Sequence, residues 1–162
     1  MGKVQSTFGN GYAGAVTRSV DNVIISKRNN AYAVIPFGAP VFLDTTGTAG
    51  VVPFDASSSE AAKFVGFTVR IADKTPDAYN SSEGQYKETD PIDILVRGAI
   101  TLEIGTSTAK PGDNLYIRKS DSKLVALPGS EGTTIQVPNA TITTYRDDNG
   151  FCEVLLRERN LL

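Results

Sequence analysis

The sequence predicts an all-β fold, an antiparallel β-sandwich or barrel of the jelly-roll type with an extended N-terminal arm. Short runs of β-branched and aromatic residues recur at a spacing of roughly 8 to 12 residues, which is typical of sandwiches and barrels. Gly, Pro, Asn, Asp and Ser separate the runs and predict turns between them. No stretch of about 12 residues repeats its apolar side chains with a period of 3.6, although residues 57–63 permit one helical turn.

The chain is long enough for one domain with its own core. It has 162 residues, of which 40% are hydrophobic, and a domain of about 150 residues buries about 68–70% of its unfolded surface. The single cysteine, Cys152, excludes an internal disulfide, and its apolar strand favours a small buried side chain over a reactive thiol. No apolar run has the length of a signal peptide or a membrane span, so we expect a soluble, unexported chain.

The charge and the residue types exclude several kinds of function. A net charge of −2 and a sequence pI near 5.1 argue against a cationic face for nucleic acid. The absence of histidine excludes Ser-His-Asp and Cys-His triads and His-ligated zinc or iron sites. We therefore expect no cofactor, no metal, and no nucleic-acid or membrane partner.

Residues 1–31 form the predicted arm, and residues 32–162 form the body. Gly and Asn punctuate the arm, and Phe8, Tyr12 and Val16 recur every four residues with too much Gly between them for a stable helix. Such a segment cannot bury its aromatic side chains against itself, so it packs either onto the body or onto another subunit. Residues 22–28 add a short strand before the body.

The body opens with short strands whose prolines place them at sheet edges or at strand starts. A further strand follows at residues 63–71, and residues 72–85 are polar enough for an exposed loop. Residues 92–105 show the clearest strand pattern, in which every second residue is apolar, and a break at Gly98 predicts a bulge or a corner. The apolar residues of this pattern are Ile92, Ile94, Val96, Ile100, Leu102 and Ile104.

The last third of the chain is typical of hairpins. Pro111 and Gly112 supply the fixed and the positive φ angles of a β-turn before the strand at residues 115–118. Residues 147–150 (DDNG) turn into the last strand, at residues 151–157. The other predicted strands are residues 33–38, 40–44, 51–54, 124–127, 134–137 and 140–145.

Three sequence patterns resemble catalytic or ligand-binding motifs, but each is better explained as a turn or the end of a strand. Asp90 and Asp93 are close in sequence, but their odd separation places them on opposite faces of a strand. An enzyme would have to use these two carboxylates together with Glu103. The DDNG turn lacks the spacing of a calcium loop, and the glycines at residues 9–14 match a dinucleotide fingerprint without its flanking strand and helix.

Five segments occur in an order that resembles one known family. A Gly/Tyr/Ala-rich stretch comes first, at residues 11–15 (GYAGA), and an IPFG segment that leads into a strand comes next, at residues 35–41. A strand with V-G-F at residues 64–67, an R-G strand pair at residues 96–100 and an A-x-P-G-D turn with an apolar strand at residues 109–117 complete the series. This order resembles the cement or decoration proteins of tailed-bacteriophage capsids.

The resemblance implies a non-enzymatic virion protein that binds the outside of a phage capsid as a homo-oligomer and clamps neighbouring major capsid proteins. A trimer is favoured over a dimer, since the quasi-threefold junctions of a capsid offer a docking site. The protein would be made in the host cytoplasm and end on the capsid exterior. Many modest contacts made at once would then stabilise the shell.

Eight residues are the candidate contacts for that role. Apolar side chains in the arm serve as anchors, basic side chains pair with an acidic capsid surface, and two leucines cover a neighbour's edge strand within the oligomer. The anchors are Phe8, Tyr12 and Val16, the basic residues are Arg18, Lys27 and Arg28, and the leucines are Leu161 and Leu162.

A second function stays open at this point, that of a carbohydrate- or receptor-binding β-domain of a phage tail or surface protein. Such a module needs exposed aromatic side chains on loops. The chain has no Trp, and its loop candidates are Tyr79 and Tyr86.

Overall fold

β-Strands make up the regular structure of the computed structural model, which describes residues 9–46, 49–71 and 85–158. A single turn of 3₁₀ helix, Ala61–Lys63, stands where the sequence predicts one helical turn. In these ranges no helix has the length and apolar character needed to cross a membrane. The strands are β1 (Val16–Asn29), β2 (Ile35–Pro36), β3 (Pro40–Leu43), β4 (Gly50–Pro53), β5 (Phe64–Thr68), β6 (Gln85–Tyr86), β7 (Pro91–Glu103), β8 (Asn114–Arg118), β9 (Leu124–Val125), β10 (Thr134–Ile142) and β11 (Phe151–Leu156).

Five of these strands close into a ring. β1 pairs with β4, β4 with β3, β3 with β5, β5 with β7, and β7 pairs with β1 again. The β1–β4 pair is parallel, with Arg28 opposite Gly50, whereas the sequence predicts antiparallel strands. The two strands are not joined by a tight turn, because β2 and β3 lie between them in the chain. A short turn makes two consecutive strands antiparallel, but these two strands are joined by a longer crossover and can therefore be parallel.

A second group of strands continues from β7. β11 pairs with the C-terminal part of β7, and β10, β8 and β9 follow in antiparallel order, while β2 and β6 form a separate two-stranded sheet. β10 is one strand where the sequence predicts two. A register shift between Gln136 and Thr141 and the positive φ angle of Asn139 mark the place of the predicted gap.

Alternate side chains of the ring strands point into two separate cores. The smaller core includes Val41 and Val65, while their neighbours Phe42 and Phe64 belong to the larger core. In the larger core the rings of Phe42, Phe64 and Phe67 pack edge to face, with centroids 5.7 and 5.2 Å apart. The smaller core fills the ring, and the larger core lies between the ring and the second group of strands. The predicted sandwich or barrel is confirmed and combines features of both.

Gly98 marks the point in β7 where the two faces of the strand exchange. Its φ angle of +121° is one that L side chains rarely adopt, and the register of β1 shifts on the opposite side, between Arg18 and Val23. The predicted corner is confirmed, and its effect is to exchange the two faces of the strand. Before Gly98 the residues Ile92, Ile94 and Val96 point into the smaller core, and after it Ile100, Leu102 and Ile104 point into the larger core.

Much of the predicted arm is paired with the body. Val16–Asn29 forms β1, which is longer than the strand predicted at residues 22–28 and runs beside β7 from Ile100 to Pro91. The segment before the boundary predicted at residue 31 therefore contributes a strand to the ring. Phe8, at the start of the arm, lies outside the described residues, as do Leu161 and Leu162.

Candidate interaction surfaces

Residues 10–15, here called the strap, cross the body just before β1. The main-chain N–H of Asn10 donates to Asp147 Oδ2 at 2.7 Å, and its Nδ2 donates to the carbonyl oxygens of Tyr145 and of the first residue of β11, at 2.9 and 2.7 Å. The hydroxyl of Thr101 donates to the carbonyl oxygen of Asn10 at 2.5 Å. These four hydrogen bonds fix the start of the strap to the turn before β11 and to β7.

Gly14 allows the strap to approach the body closely. Its N–H donates to the carbonyl oxygen of Thr101 at 2.8 Å, and its own carbonyl oxygen accepts from the N–H of Arg70 at 2.7 Å. The φ angle of Gly14 is +77°, and a Cβ there would lie 2.9 Å from the main-chain nitrogens of both Gly38 and Arg70. Glycine is therefore the residue that fits without displacing backbone.

Tyr12, a candidate anchor, is 66% exposed on the strap. The guanidinium group of Arg70 lies over its ring at 5.2 Å from the centroid, and over the ring of Phe37 at 5.6 Å. Phe37 in turn packs edge to face on Tyr86, with the centroids 5.3 Å apart. Cation–π contacts thus connect an exposed ring to the margin of the smaller core and hold it in a defined position.

Val16 and Arg18 have partners within the chain. Val16 is half-buried and packs against the larger core. Arg18 forms an ion pair with Glu153, with 2.7 Å between Nη2 and Oε1. Glu153 is buried and also accepts hydrogen bonds from the hydroxyls of Thr17 at 2.6 Å and Thr143 at 2.7 Å.

Two opposing effects set the pKa of Glu153. Burial raises the pKa, but the hydrogen bonds from Thr17, Thr143 and Arg18 and the positive charge of Arg18 lower it by more, so the pKa lies below its usual value. The carboxylate is therefore charged at neutral pH. It ties the start of β1 to β11 and to the residue that follows β10.

Lys27 and Arg28 lie side by side near the end of β1. In the described ranges, ion pairs involve other cations, so both charges are available to solvent or to a partner. These two residues are neighbours in sequence, while the candidate contacts Tyr12 and Arg18 lie on the strap and at the start of β1. Lys27 and Arg28 line an open depression of about 480 Å³ with Ser26, Ala49, Thr89 and Pro91.

Tyr32 is an exposed aromatic residue that the sequence analysis does not single out. It is 97% exposed in the turn that follows β1. The buried side chain of Asn29 shapes this turn, because its Nδ2 donates to the carbonyl oxygens of Ala33 at 3.0 Å and Lys87 at 2.9 Å. Its Oδ1 accepts from the N–H of Ala31 at 2.9 Å. The run NNAYA, an aromatic residue among turn-forming asparagines and alanines, is the sequence signal for this position.

The candidate carboxylates do not converge on one site. Asp93 accepts a hydrogen bond from the hydroxyl of Ser26 at 2.6 Å. Asp90 accepts from the N–H of Lys87 at 3.1 Å, and Glu103 is exposed near the end of β7. Over the parts of the chain that the structure describes, no group of three or more Cys, Asp or Glu residues is placed to hold a metal ion.

Cys152 is buried in the larger core, as the sequence predicts. Burial is the main cause that raises the pKa of its thiol to about 11, and the charge of Arg146 offsets only part of this effect. The thiol is therefore protonated at neutral pH, which is the state of a packing residue rather than a nucleophile.

Tyr86 is not the exposed loop residue that the sequence analysis takes it for. It is 3% exposed in β6, where its hydroxyl donates to the carbonyl oxygen of Val69 at 2.7 Å and accepts from the N–H of Asp93 at 3.3 Å. Burial raises its pKa to about 12. The prediction was wrong because Tyr86 pairs with Ile35 across the small sheet and fills the end of the smaller core. Tyr79 lies outside the described residues.

Comparison with known proteins identifies the family. A family model described as "Structural cement protein (E217 gp24/Pam3 gp6)" matches residues 2–157. A solved chain from "The capsid of Myoviridae Phage XM1" has the same fold, with a TM-score of 0.73 and 16% sequence identity over 96% of each chain. Among curated proteins, none matches. Because the family model covers nearly the whole sequence, the chain belongs to the phage structural cement proteins.

Proposed function

We propose that this protein binds the outer surface of a phage capsid, where it joins neighbouring major capsid proteins and stabilises the head. The observation that carries the proposal is the family match over residues 2–157, since a cement protein has a structural role in the virion. The proposal includes no catalytic step. The separation of Asp90, Asp93 and Glu103 into different hydrogen-bonded or exposed positions supports that view.

The distribution of exposed apolar side chains supports a bridging role. They come from several segments of the chain: the strap, β1, the turn after β1, and the segments after β9 and before β11. A protein that joins several subunits needs contacts on more than one face, and modest contacts made together give high avidity. Exposed aromatic side chains are frequent hot spots of such contacts. The residues are Tyr12, Ile24, Tyr32, Leu127 and Tyr145.

We further propose that the protein is made in the host cytoplasm and acts as a homo-oligomer, with a trimer favoured over a dimer. The contacts proposed for the oligomer, Leu161 and Leu162, follow Arg157 and Glu158 at the end of the sequence. Native mass spectrometry of the free protein counts the subunits directly. A monomer at micromolar concentration would remove the oligomer from the proposal.

Co-sedimentation with capsid shells assembled from the major capsid protein tests the proposed binding. We expect the full chain to pellet with the shells, and a variant that lacks residues 2–8 to pellet less. The deletion removes the candidate anchor Phe8 but leaves every hydrogen bond of Asn10 and Gly14 with the body in place. Deleting residues 1–20 would be a poorer test, because it removes the strap and the start of β1.

Phe8→Ala tests the anchor by itself, since it removes one side chain and keeps the length of the chain, and we expect it also to pellet less than the full chain. Circular dichroism of each free variant must show the spectrum of the full chain. A full chain that stays in the supernatant at saturating shell concentration would contradict the proposed function. A deletion variant that binds as tightly as the full chain would contradict only the role of the first residues.

A further inference from the structure

Arg70 is held in place from its main chain to its guanidinium group. Its N–H donates to the carbonyl oxygen of Gly14 at 2.7 Å, which joins it to the strap. The guanidinium carbon lies 5.2 Å from the ring centroid of Tyr12 and 5.6 Å from that of Phe37. One main-chain hydrogen bond and two contacts of the side chain thus position Arg70 before any partner binds.

The charge of Arg70 has no carboxylate partner among the described residues. The ion pairs in those ranges involve Arg18, Lys63, Arg97 and Arg118. Arg146 is also used within the fold, because its Nε donates to the carbonyl oxygen of Ile104 at 2.8 Å. Arg70 differs from these arginines in that aromatic rings, and not acceptor oxygens, hold its side chain.

The geometry of this arrangement determines what it can bind. The rings of Tyr12 and Phe37 attract the guanidinium group by cation–π interaction and accept none of its N–H donors as a carboxylate would. A planar set of donors matches the two oxygens of a carboxylate, with which arginine forms paired hydrogen bonds. Because the side chain is already ordered, less conformational entropy is lost on binding than for a freely moving arginine.

We propose that Arg70, held by Tyr12 and Phe37, binds the carboxylate of an Asp or Glu side chain exposed on the major capsid protein. Tyr12 is 66% exposed and Ile71 is 43% exposed, so apolar surface is available beside the charge for the segment that carries the carboxylate. This inference rests on the proposed function, because it specifies the contact by which the protein holds the shell.

The test compares the affinities of Arg70→Gln and Arg157→Gln for capsid shells assembled from the major capsid protein. Arg157 is an exposed arginine without an ion pair in the described ranges, so it is the matched control for the loss of one positive charge. We expect Arg70→Gln to weaken binding roughly tenfold or more, as loss of one partner of a charged hydrogen-bonded pair does. We expect Arg157→Gln to bind as the wild type does.

Two further variants test the recognition itself. Arg70→Lys keeps the charge but not the planar set of donors, and we expect it to bind nearly as weakly as Arg70→Gln. Tyr12→Leu changes an exposed side chain, so we expect this variant to fold. It provides a second test if Arg70→Gln fails to fold. We expect it to weaken binding several-fold, because one of the rings that orders Arg70 is lost.

The outcomes separate this inference from the proposed function. If the wild type does not bind the shells, the proposed function fails. If the wild type binds and Arg70→Gln binds no more weakly than Arg157→Gln, the proposed function stands and the inference on Arg70 is overturned. An Arg70→Lys variant that binds with wild-type affinity would also overturn the inference on Arg70. If Arg70→Gln does not fold, wild-type affinity of Tyr12→Leu would overturn it.

Discussion

Arg18 and Arg70 carry the same charge but have different partners, and the partners determine whether the charge stabilises the fold or is available for binding. Arg18 donates to Glu153 at 2.7 Å, and two hydroxyl groups complete the hydrogen bonds of that carboxylate. Arg70 contacts two aromatic rings instead. An exposed ion pair contributes only about 0–1 kcal/mol, but removing an acceptor from a buried network costs about 1–3 kcal/mol. The Arg18–Glu153 pair therefore belongs to the fold.

Replacing Glu153 by Gln should make the protein less stable at neutral pH and less sensitive to acid. The folded-state pKa of Glu153 lies below the ordinary value of 4.5, so the charged carboxylate stabilises the fold above that pH. This stabilisation is lost as the pH falls from about 4.5 through the lowered pKa. We expect Glu153→Gln to lower the free energy of unfolding by about 1–3 kcal/mol at pH 7, and the difference from the wild type to shrink towards pH 3.

Urea denaturation of both proteins at a series of pH values from 7 to about 3 measures this dependence. Glu131→Gln is the control, because Glu131 is exposed and its side chain forms no ion pair within the described ranges. A difference between wild type and Glu153→Gln that stays constant across the series would contradict the assigned role of the carboxylate.

At the scale of elements, β1 and β7 are the strands that hold the molecule together. Before Gly98, β7 contributes to both cores, with Ile94 in the smaller core and Leu95 in the larger core, and after Gly98 its buried apolar residues lie in the larger core. β1 runs beside β7 over most of its length. Asn22, in the part of β1 opposite the corner, fits against Gly98 and accepts from the N–H of Ala99 at 3.3 Å. The corner at Gly98 thus moves the even-numbered apolar residues of β7 from the smaller core to the larger core.

Alanine at Gly98 should therefore be far more disruptive than alanine at another glycine with a similar backbone. A Cβ at Gly98 would meet the side chain of Asn22 and come within 3.1 Å of its Cα. Gly112 also has a positive φ angle, +96°, but a Cβ there would meet nothing within 4 Å. Gly112→Ala thus reports the backbone penalty alone. We expect Gly98→Ala to lower the free energy of unfolding by about 1–3 kcal/mol more than Gly112→Ala, because overpacking adds to that penalty.

Chemical denaturation of the two variants gives the comparison directly. Equal losses of stability would show that the corner tolerates a side chain, and that the exchange of faces does not depend on close packing against β1.

The elements could be predicted from the sequence where a local pattern determines them. Alternating apolar residues predicted β7, and the break at Gly98 predicted its corner. The parallel pairing of β1 with β4 could not be predicted, because it joins segments whose register is set by closure of the ring. The burial of Tyr86 escaped prediction for a similar reason, since its partner Ile35 is distant in sequence.

Of the candidate site, the sequence predicted Tyr12 but not the arrangement around it. Tyr12, Phe37 and Arg70 come from three separate segments, and no local spacing relates them. The strap brings them together through Gly14, whose contacts with Gly38 and Arg70 need the folded chain. Tyr32 was open to prediction, because an aromatic residue in a polar turn has no core to enter.

At the scale of the whole molecule, the strands around the two cores and the strap on the body display aromatic and basic side chains on several segments of the chain. Hydrogen bonds hold the strap on the body, so a contact made through the strap loses less conformational entropy on binding. The family match agrees with a structural role in the virion.

The thermal stability of capsid shells with and without the protein is the most direct test of that role. A protein that binds the assembled shell and not its separated subunits must raise the temperature at which the shell dissociates, increasingly so until its sites are filled. Light scattering or calorimetry of shells titrated with the protein follows this change. We predict a dissociation temperature that rises and then levels off; an unchanged temperature at saturating protein would contradict the account.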